Sequence, residues 1–600
     1  MMRDREFKEK EPKETIRTIK NILKHLGVDI EEEWVPESTV NTFSVRVNIK
    51  GTQIGTNGKG VSKEFALASA YGEFMERIQN KALGLPMLNK KVAQGYYFVY
   101  DEKLMTVDEI VGADTKFIEN LLKQLKFDCL SKEKKINQLE ELLAHNGNEG
   151  HKVLMYPFYN YTQEKVEYLP FSIIASFYGT NGMCAGNTMQ EALVQGFSEI
   201  FERYVQRRVI EEKIALPNVP EEYIKKYEHV YRMYQTMKKL KEYGFYVKDA
   251  SLGLGFPVVA IVIVEKNTGR YGVHFGAHPD FGIALERAFT EASQGRDILK
   301  FAQSSKFDFS NSKVNLDSNL YNLYDIARGQ YPYQFFSEDT EFIFKEYEDV
   351  SGKNNEELLN GIFKFVLEKG YSIYIRDVSF LGMCAYHIII PELSDLISID
   401  ERTLRARNTL QYVEKLLVKP SKIETDDLKY IVSTIQYFCL YQSYSNMSSF
   451  YTRKDGCAYP FEKEKGDILF FLAISYAKMK DYAKAVGYLE KMLQLEQLCD
   501  KDRVFLSVLI DYFIGRNVGC SHSETRAYLM KFYDALIVEN IGSFKDDNWK
   551  LSEFFFDDIG IKEDAYLNEI VTKINKIEYE VSIKQKNLLE IATETINLRK

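Results

Sequence analysis

The chain lacks the patterns of a disulfide-bonded, secreted or membrane-spanning protein. Its seven cysteines are scattered, and no two form a Cys-x-x-Cys pair, so we expect neither a disulfide framework nor a zinc site. The strongest apolar run, residues 257–264, suits a buried strand and is too short to cross a membrane. The charged N-terminal stretch has no apolar segment of the signal-peptide type. These features favour a cytoplasmic protein with no membrane partner.

An excess of basic charge is also missing. The chain has 78 Lys and Arg residues against 87 Asp and Glu residues, which gives a net charge of −9. A dedicated nucleic-acid binder would carry a basic surplus, so no direct nucleic-acid partner is expected. Apolar residues are plentiful, at 45% of 600, and they suffice for packed cores in two to four domains.

One pattern occurs twice along the chain, a Gly-Thr-Asn-Gly turn followed by a helix that carries Glu-x-x-Glu-Arg. The first copy has the turn at 55–58 and the acidic pair Glu73 and Glu76; the second has the turn at 179–182 and the pair Glu199 and Glu202. The two acidic pairs are 126 residues apart, too far for a local coincidence. A third predicted helix adds acidic and basic residues, namely Glu286, Arg287 and Glu291.

Glutamates three residues apart lie on one face of a helix, and three such faces predict a cage for a divalent metal and its phosphates. Carboxylates about 5 Å apart repel each other by roughly 3 kcal/mol at an effective dielectric near 20, so the cluster needs cations. Mg²⁺ suits it because it prefers oxygen ligands. The turns would offer N–H groups to an anion, and Arg77, Arg203 and Arg287 would offset phosphate charge.

The alternative is that each acidic pair is only a solvated helix face with local ion pairs, which is the usual explanation of a single Glu-x-x-Glu-Arg. The repetition of the pattern favours a functional role. The stretch GTNGKG has neither the spacing nor the Ser or Thr of a Walker A loop, and no kinase loop or Rossmann fingerprint is present.

The periodicity predicts an α/β domain over residues 1–400, with a mixed sheet covered by long helices and the two modules near 42–83 and 169–208. The predicted helices are 13–27, 63–82, 189–208, 221–243 and 281–303. The predicted strands are 42–49, 245–250, 256–264, 271–277, 371–378 and 385–390.

The composition and periodicity of the sequence change near residue 400. Glycine becomes scarce, no proline follows Pro460, and helical periodicity is almost continuous, so we expect an all-α helical-repeat domain over 401–600. Within it, residues 472–493 match a tetratricopeptide pattern. The matching residues are Leu472, Ala473, Tyr476, Tyr482, Ala485 and Leu489.

Three stretches together resemble the YcaO family, and the similarity extends over nearly the whole chain. They are GKGVSKEFALASAYGEFMER at 58–77, NGMCAGNTMQEALVQGFSEIFERYV at 181–205 and GAHPDFGIALERAFTEASQGR at 276–296. The resemblance implies an α+β-like fold that binds ATP and Mg²⁺ without a Walker motif. The metal ligands it implies are Glu73, Glu76, Glu199, Glu202 and Glu291. The ATP contacts it implies are Lys8, Thr15, Ser69, Asn187, Glu191, Arg203 and Arg287, with Thr15 standing where the family has Ser.

The helical extension resembles the branch of the family that includes the enterobacterial proteins. That resemblance implies ATP hydrolysis and a role as accessory factor when a radical-SAM methylthiotransferase modifies an aspartate of a small-subunit ribosomal protein. It also implies a homodimer.

Two other functions stay open. One is ATP-dependent modification of a peptide backbone, as in azoline or thioamide natural products; the absence of proline after Pro460 argues against the usual cyclodehydratase scheme, in which a Pro-rich C-terminus enters the active site. The other is a non-catalytic scaffold whose helical repeats hold a partner.

Overall fold

The computed structural model describes residues 7–83, 99–144, 152–406, 409, 423–436, 464–494, 500–544, 549–551 and 565–584. The chain divides into two compact units, one of residues 1–401 with 563–600 and the other of residues 402–562. The first unit therefore differs from the expected domain 1–400 by one addition, the segment that begins at residue 563. The expected helical domain 401–600 loses this segment because its helix buries apolar side chains in the first unit.

Helices are numbered in chain order over the described residues. They are α1 Pro12–Leu26, α2 Lys63–Gln79, α3 Val107–Gly112, α4 Lys116–Gln124, α5 Lys132–Leu139, α6 Phe171–Ile173, α7 Met189–Glu212, α8 Glu221–Ile224, α9 Glu228–Lys238, α10 Phe281–Ala292, α11 Ile298–Phe301, α12 Asp317–Ile326, α13 Asn355–Glu368, α14 Asp427–Ile435, α15 Glu464–Lys478, α16 Tyr482–Leu493, α17 Asp500–Asn517, α18 His522–Leu529, α19 Ala535–Glu539 and α20 Ala565–Lys584. Single π-helical turns occur at Glu140–Ala144 and Ile174–Tyr178, and 3₁₀ turns at Tyr333–Phe336 and Asn540–Phe544.

The strands found among the described residues all lie in the first unit. They are β1 Ile30–Val35, β2 Phe43–Ile49, β3 Gly55–Gly60, β4 Lys103–Met105, β5 Val153–Asn160, β6 Lys165–Pro170, β7 Met183–Gly186, β8 Tyr243–Asp249, β9 Val258–Glu265, β10 Arg270–Ala277, β11 Ser305–Lys306, β12 Tyr374–Asp377 and β13 Cys384–Ile389.

The strands form three sheets. Their orders are β1-β2-β3, then β11-β10-β9-β8, then β4-β5-β12-β13-β7 with β6 paired to β5. Every strand pair in the part of the chain that the structure describes is antiparallel. The combination of sheets and helices is confirmed, but the expected mixed sheet is wrong, because short connections and helical returns place neighbouring strands in opposite directions.

Three strands are each followed directly by a helix that lies across their own sheet. They are β3 with α2, β7 with α7 and β10 with α10. Glycines in the strands face alanines in the helices: a Cβ atom at Gly58 would overlap the carbonyl oxygen of Ala66, and one at Gly276 would overlap that of Ala284. At Gly186 a Cβ atom would lie 2.6 Å from the amide nitrogen of Ala192. The glycines thus permit close contact between helix and strand backbones.

This packing corrects one expectation. The sequence predicts that residues 55–58 form a turn like 179–182, but they belong to strand β3, which pairs with β2 along its whole length. The second copy is a turn, in which Gly179 and Gly182 have positive φ angles of 55° and 81°. In the first copy the glycines serve the contact with α2 instead.

The other predicted elements agree closely with the structure, with two exceptions. The predicted helix 221–243 is divided into α8 and α9, and the predicted helix 281–303 is divided into α10 and α11. The second break contains Gly295, whose φ of 71° lies in the left-handed region. The strand β9, predicted from the apolar run, is almost completely buried.

The second unit is helical over its described residues. Helices α15 and α16 follow each other through a short turn and form the pair that the tetratricopeptide pattern predicts, with Leu472, Ala473, Ala485 and Leu489 fully buried. Tyr476 and Tyr488 stack with their ring centroids 5.6 Å apart. The identity of this pair as a tetratricopeptide repeat stays a prediction. Among the helices described in either unit, none has the length and apolar character that a membrane span requires.

Candidate functional site

The helices α2, α7 and α10 begin in the same way, each with a side chain that caps its N-terminus. Ser62, Thr188 and Asp280 each accept a hydrogen bond from the backbone N–H three residues later. Eleven residues after each cap comes a glutamate, which is Glu73, Glu199 or Glu291 respectively. A third copy of the repeated unit is therefore present, and its acidic residue is Glu291.

The five glutamates expected to bind metal are here called the glutamate cluster, and they are Glu73, Glu76, Glu199, Glu202 and Glu291. Basic side chains hold most of its members. Arg77 lies 3.2 Å from Glu76 and 3.7 Å from Glu73, and Arg203 Nε donates to Glu199 Oε1 over 2.9 Å. Lys59 Nζ, from strand β3, lies 2.5 Å from Glu291 Oε1.

The pKa values of Glu76 and Glu202 respond to carboxylates on a neighbouring helix. Burial raises the pKa of Glu76 to about 8, and the neighbouring carboxylates Glu199 and Glu73 raise it further against the opposing effect of Arg77. Burial also raises the pKa of Glu202 to about 8, assisted by Glu291 and Glu199. Burial and neighbouring carboxylates thus both act on Glu76 and Glu202, and the arrangement of all five glutamates as a metal cage stays a prediction.

Glu291 behaves differently because a lysine contacts it directly. Burial alone would raise its pKa, but Lys59, His274 and Arg287 outweigh burial and lower the pKa to about 2. Burial likewise opposes the charge of Lys59, yet Glu291 and Glu73 raise the lysine pKa above its usual value. Glu291 and Lys59 thus form a charged pair inside the site.

The donor set fits a divalent cation. Glu202 is half-buried, and no hydrogen bond or ion pair from another described residue reaches its carboxyl group. Carboxylates that share a site in this way suit a hard cation such as Mg²⁺. Within the described ranges, no three His, Cys, Asp or Glu side chains already stand in a coordination arrangement, since Lys59, Arg77 and Arg203 each hold at least one of these carboxylates. The residues therefore suit a divalent cation by their chemistry, and their assignment as metal ligands stays a prediction.

A second group, here called the N-terminal cluster, contains Lys8, Thr15, Asn187 and Glu191. Thr15 Oγ1 donates to Asn187 Oδ1 over 2.9 Å, and Asn187 Nδ2 donates to Glu191 Oε2 over 3.0 Å. Lys8 Nζ lies 3.5 Å from Glu191 Oε1, and the backbone N–H of Glu9 donates to the same carboxylate. The start of the chain is therefore joined to the beginning of helix α7.

Arg287 lies between the two clusters. Its guanidinium donates to Gln195, while the guanidinium Nε is buried without a hydrogen-bond partner among the described residues. Burial lowers the pKa of His278, and the nearby positive charges of Arg287 and Lys8 lower it further. The charges of Lys8, from the N-terminal cluster, and of Arg287, from α10, thus both act on His278.

Two further candidate residues lie at the edge of this site. Arg203 sits over the ring of Tyr324, 5.1 Å from its centroid, in addition to its pair with Glu199. Ser69 is one helical turn before Glu73 on α2, and no hydrogen bond joins its hydroxyl to another described residue. Ser69 is therefore near the glutamate cluster only through its position on α2, and its contact with ATP stays a prediction.

Sequence reasoning missed several residues of the site, above all Lys59, Gln195, His274 and Tyr324. A signal existed for Gln195, because it stands seven residues after its helix cap, as do Ser69 in α2 and Arg287 in α10. The sequence around Lys59 indicates only that a Walker motif is absent, whereas the role of this lysine depends on the pairing of β3 with β2 and on its contact with α10.

Glu286 belongs to a different environment from its neighbour Arg287. It is 5% exposed, and its carboxylate lies 3.3 Å from Nε2 of His229 on helix α9. It is therefore paired with α9 and is not one of the residues that we assign to the glutamate cluster. Because it is buried and paired, however, Glu286 is a poor choice for an inert control substitution.

Comparison with known proteins identifies the family of the chain. A family model described as YcaO cyclodehydratase, ATP- and Mg²⁺-binding, matches residues 57–394. A protein of Escherichia coli named ribosomal protein S12 methylthiotransferase accessory factor YcaO is 32% identical over 402 residues, which are 66% of this chain and 67% of that protein. An uncharacterized protein of Haemophilus influenzae is 33% identical over 395 residues, which are 65% of this chain and 65% of that protein, just under two thirds of its length.

Solved structures show only a low similarity. A heterocyclase in complex with substrate and cofactor has a TM-score of 0.45 at 19% identity, covering 64% of this chain and 52% of its own. YcaO from Methanopyrus kandleri, bound with AMPPCP and Mg²⁺, has a TM-score of 0.39 at 18% identity, covering 64% of this chain and 91% of its own.

The family model covers more than half of the 600 residues, and it includes all three helices of the glutamate cluster. The expected cofactors, ATP and Mg²⁺, are those of the matching family. On this evidence the chain belongs to the YcaO family.

Proposed function

We propose that the first unit binds Mg²⁺ and ATP between helices α2, α7 and α10 and hydrolyses the nucleotide. The observation that carries this proposal is the convergence of carboxylates from three helices, two of which have a pKa raised to about 8. So many carboxylates in one site are stable only with cations beside them. The ligands we assign to the metal are Glu73, Glu76, Glu199, Glu202 and Glu291.

The nucleotide contacts we assign extend from the glutamate cluster to the N-terminal cluster. They comprise Lys8, Thr15, Ser69, Asn187, Glu191, Arg203 and Arg287. Arg287 supports this assignment because its Nε is buried without a partner among the described residues and therefore has donor capacity to spare. The capped N-terminus of α7 lies beside Asn187 and Glu191, where N–H groups favour an anion.

The side chains of the protein have distinct roles in this proposal. Mg²⁺, when bound, would neutralise phosphate charge and make the terminal phosphate a better electrophile. Arg287 and Arg203 would stabilise the charge that develops on the transferred phosphoryl group. Lys59 holds Glu291 in its ionised form, and Arg203 fixes the orientation of Glu199. The chain is thereby ready to orient the nucleotide before reaction.

For the biological role, we propose an accessory factor in the β-methylthiolation of an aspartate of a small-subunit ribosomal protein. Support comes from the Escherichia coli relative, whose name states that role and which is 32% identical over two thirds of its length. A radical-SAM methylthiotransferase and the ribosomal protein would then be partners, and the helical unit offers a surface for one of them. The proposal includes a cytoplasmic location and a homodimer.

A second function is favoured by the description of the family, which contains the word cyclodehydratase. In that case the backbone amide oxygen of a peptide substrate would attack the terminal phosphate of ATP and release ADP. A nucleophile bonded to the amide carbon would then replace that oxygen, which would leave as inorganic phosphate. The same glutamate cluster would serve either reaction, so the site itself does not choose between a ribosomal protein and a small precursor peptide. A third function is that of a scaffold, in which the helical unit would bind a partner and the protein would not turn over nucleotide.

One set of measurements separates these functions. Purified full-length protein is titrated with Mg-ATP by calorimetry, and phosphate release is followed alone, with the ribosomal protein plus methylthiotransferase, and with a precursor peptide. We expect tight binding and turnover that the correct protein partner increases. Binding without turnover under every partner would favour the scaffold, and no binding of Mg-ATP would overturn the proposal.

A further inference from the structure

The last helix described, α20, packs against the first helix of the chain. Leu567, Ile570 and Ile574 lie on one face of α20 and are buried in the same core cluster as Ile19 and Leu23 of α1. Ile570 and Ile574 are 1% and 2% exposed. In sequence α20 follows the whole helical unit, yet it is an integral part of the ATP-binding unit.

Polar contacts fix α20 at both ends of this interface. The backbone N–H of Asp29, just after α1, donates to the hydroxyl of Tyr566 over 2.8 Å. Lys81, just after α2, donates to Asn575 over 2.6 Å and lies 2.9 Å from Glu578. The side chains of Lys81 and Glu578 are only 14% and 6% exposed, so this ion pair is mostly buried and costly to break.

Helix α1 is also the element that carries the N-terminal cluster. Thr15 is on α1 and donates to Asn187, while Lys8 and the N–H of Glu9, directly before α1, contact Glu191. The residues of α1 in the core shared with α20 are one to three turns away from Thr15 on the same helix. The position of α1 therefore determines whether these three contacts can form.

We propose that α20 is a positioning element for the nucleotide site, acting through α1 although none of its described residues belongs to that site. The inference rests on the proposed function, since it concerns affinity for the nucleotide. It predicts that loosening α20 weakens nucleotide binding chiefly by releasing Thr15 and Lys8. Of the helices that carry the glutamate cluster, only α2 shares this core with α20, and the core contains no residue of α7 or α10.

The principal test is Ile570→Ala in the full-length protein, which removes buried carbons at the centre of the interface. Hydrogen exchange of the α1 amides should become at least about tenfold faster, a change of roughly 1.4 kcal/mol in local opening, while the amides of β9 keep their rates. Affinity for Mg-AMPPCP, measured by calorimetry, should fall by about fivefold. The matched control is Lys576→Ala, because Lys576 is on the same helix with a 71% exposed side chain.

A double-variant cycle tests whether α20 acts through Thr15. Thr15→Val and Ile570→Ala should together lower the affinity by clearly less than the product of their separate effects, because each removes the same contact with Asn187. A merely structural effect on stability would leave the two changes independent. If Ile570→Ala folds poorly, Tyr566→Phe takes its place in the cycle, because it removes one hydrogen bond and keeps the ring. It should lower the affinity for the nucleotide by about twofold and show the same non-independence with Thr15→Val.

The outcomes separate this inference from the proposed function. If the wild-type protein binds no nucleotide, the proposed function fails and this inference fails with it. If the wild type binds nucleotide but Ile570→Ala and Tyr566→Phe bind it equally well, only the role of α20 is wrong. Independent effects in the double-variant cycle would also overturn the action through Thr15.

Discussion

The two clusters of the site are built in different ways. The glutamate cluster comes from one structural unit used three times, in which a capped helix follows a strand and places a glutamate eleven residues after its cap. The N-terminal cluster has no such repetition, because it joins the first residues of the chain to Asn187 and Glu191, more than 170 residues away. A repeated geometry therefore holds the proposed metal ligands, whereas single long-range contacts hold the proposed phosphate contacts.

This difference implies different sensitivities. The glutamate cluster consists of partly or fully buried carboxyl groups beside buried cations, so changes within it or in its cations should have large effects on folding, on binding or on both. The N-terminal cluster rests on Lys8 and Thr15, whose contacts are a partly exposed ion pair and one neutral hydrogen bond. Substitutions there should have small effects on both stability and binding.

The largest effect is expected for Lys59→Met. It removes the cation beside Glu291 and leaves a buried carboxylate without its partner, which should lower the free energy of unfolding by about 2–3 kcal/mol. The measurement is urea denaturation without added metal. Lys13→Met is the control, because its pair with Glu64 is exposed and should contribute less than about 1 kcal/mol. Equal losses in the two variants would contradict the buried charge balance.

A pH dependence comes next. Glu76 and Glu202 have a pKa near 8 in the folded protein against a usual value of 4.5, so between these pH values the folded state binds more protons than the unfolded state. Without metal, the free energy of unfolding should therefore fall as pH rises from about 4.5 to about 8. The expected fall is on the order of 2 kcal/mol. Affinity for Mg²⁺ should rise over the same range, because its ligands must lose protons.

The pH prediction is checked by urea denaturation at several pH values in the presence of a chelator. The double variant Glu76→Gln with Glu202→Gln is compared with the wild type, and the difference in stability between them should change in the stated direction. A difference that does not vary with pH would show that these two carboxyls ionise normally and are not buried together.

Glu199→Gln should act on binding more than on folding. It removes one charge with almost no change of shape, and affinity for Mg-ATP should fall by about tenfold or more, or roughly 1.4 kcal/mol. Calorimetry of the variant and the wild type gives the comparison. Glu212→Gln, on the same helix with an exposed side chain, is the matched control and should bind normally. Unchanged affinity in Glu199→Gln would mean that the metal assignment is wrong.

The smallest effect is expected for Thr15→Val. It removes one neutral hydrogen bond to Asn187, so affinity for Mg-ATP should fall by about threefold, or roughly 0.7 kcal/mol, and the free energy of unfolding by no more than about 1 kcal/mol. Thr18→Val is its control, since the Thr18 hydroxyl is exposed and bonds only to its own helix among the described residues. A loss as large as that of Glu199→Gln would remove the distinction between the two clusters.

Much of the first unit could be predicted because its signals are local. The alternating apolar residues of β2, the periodicity of α2 and α7, and the apolar run of β9 depend on positions a few residues apart. The repeated acidic pairs likewise indicate a single shared site through their order and spacing in the chain. The two breaks, between α8 and α9 and between α10 and α11, were missed because periodicity continues across them.

The missed features depend on contacts between distant segments. That Gly55–Gly60 is a strand follows from its pairing with β2 and from the helix above it, whereas glycine alone suggests a turn. The pairing of Lys59 with Glu291 and the return of α20 to α1 join residues more than 200 and 500 positions apart. No periodicity within a single segment contains that information.

The glycines of the three strands have a consequence for the chemistry of the site. Gly58, Gly186 and Gly276 let each helix rest directly on its strand, on the side of the helix that faces the sheet. A single methyl group added at any of them would lift one helix away from its sheet and displace its carboxylates relative to those of the other two. The spacing between the acidic side chains is thus set by residues that have no side chain at all.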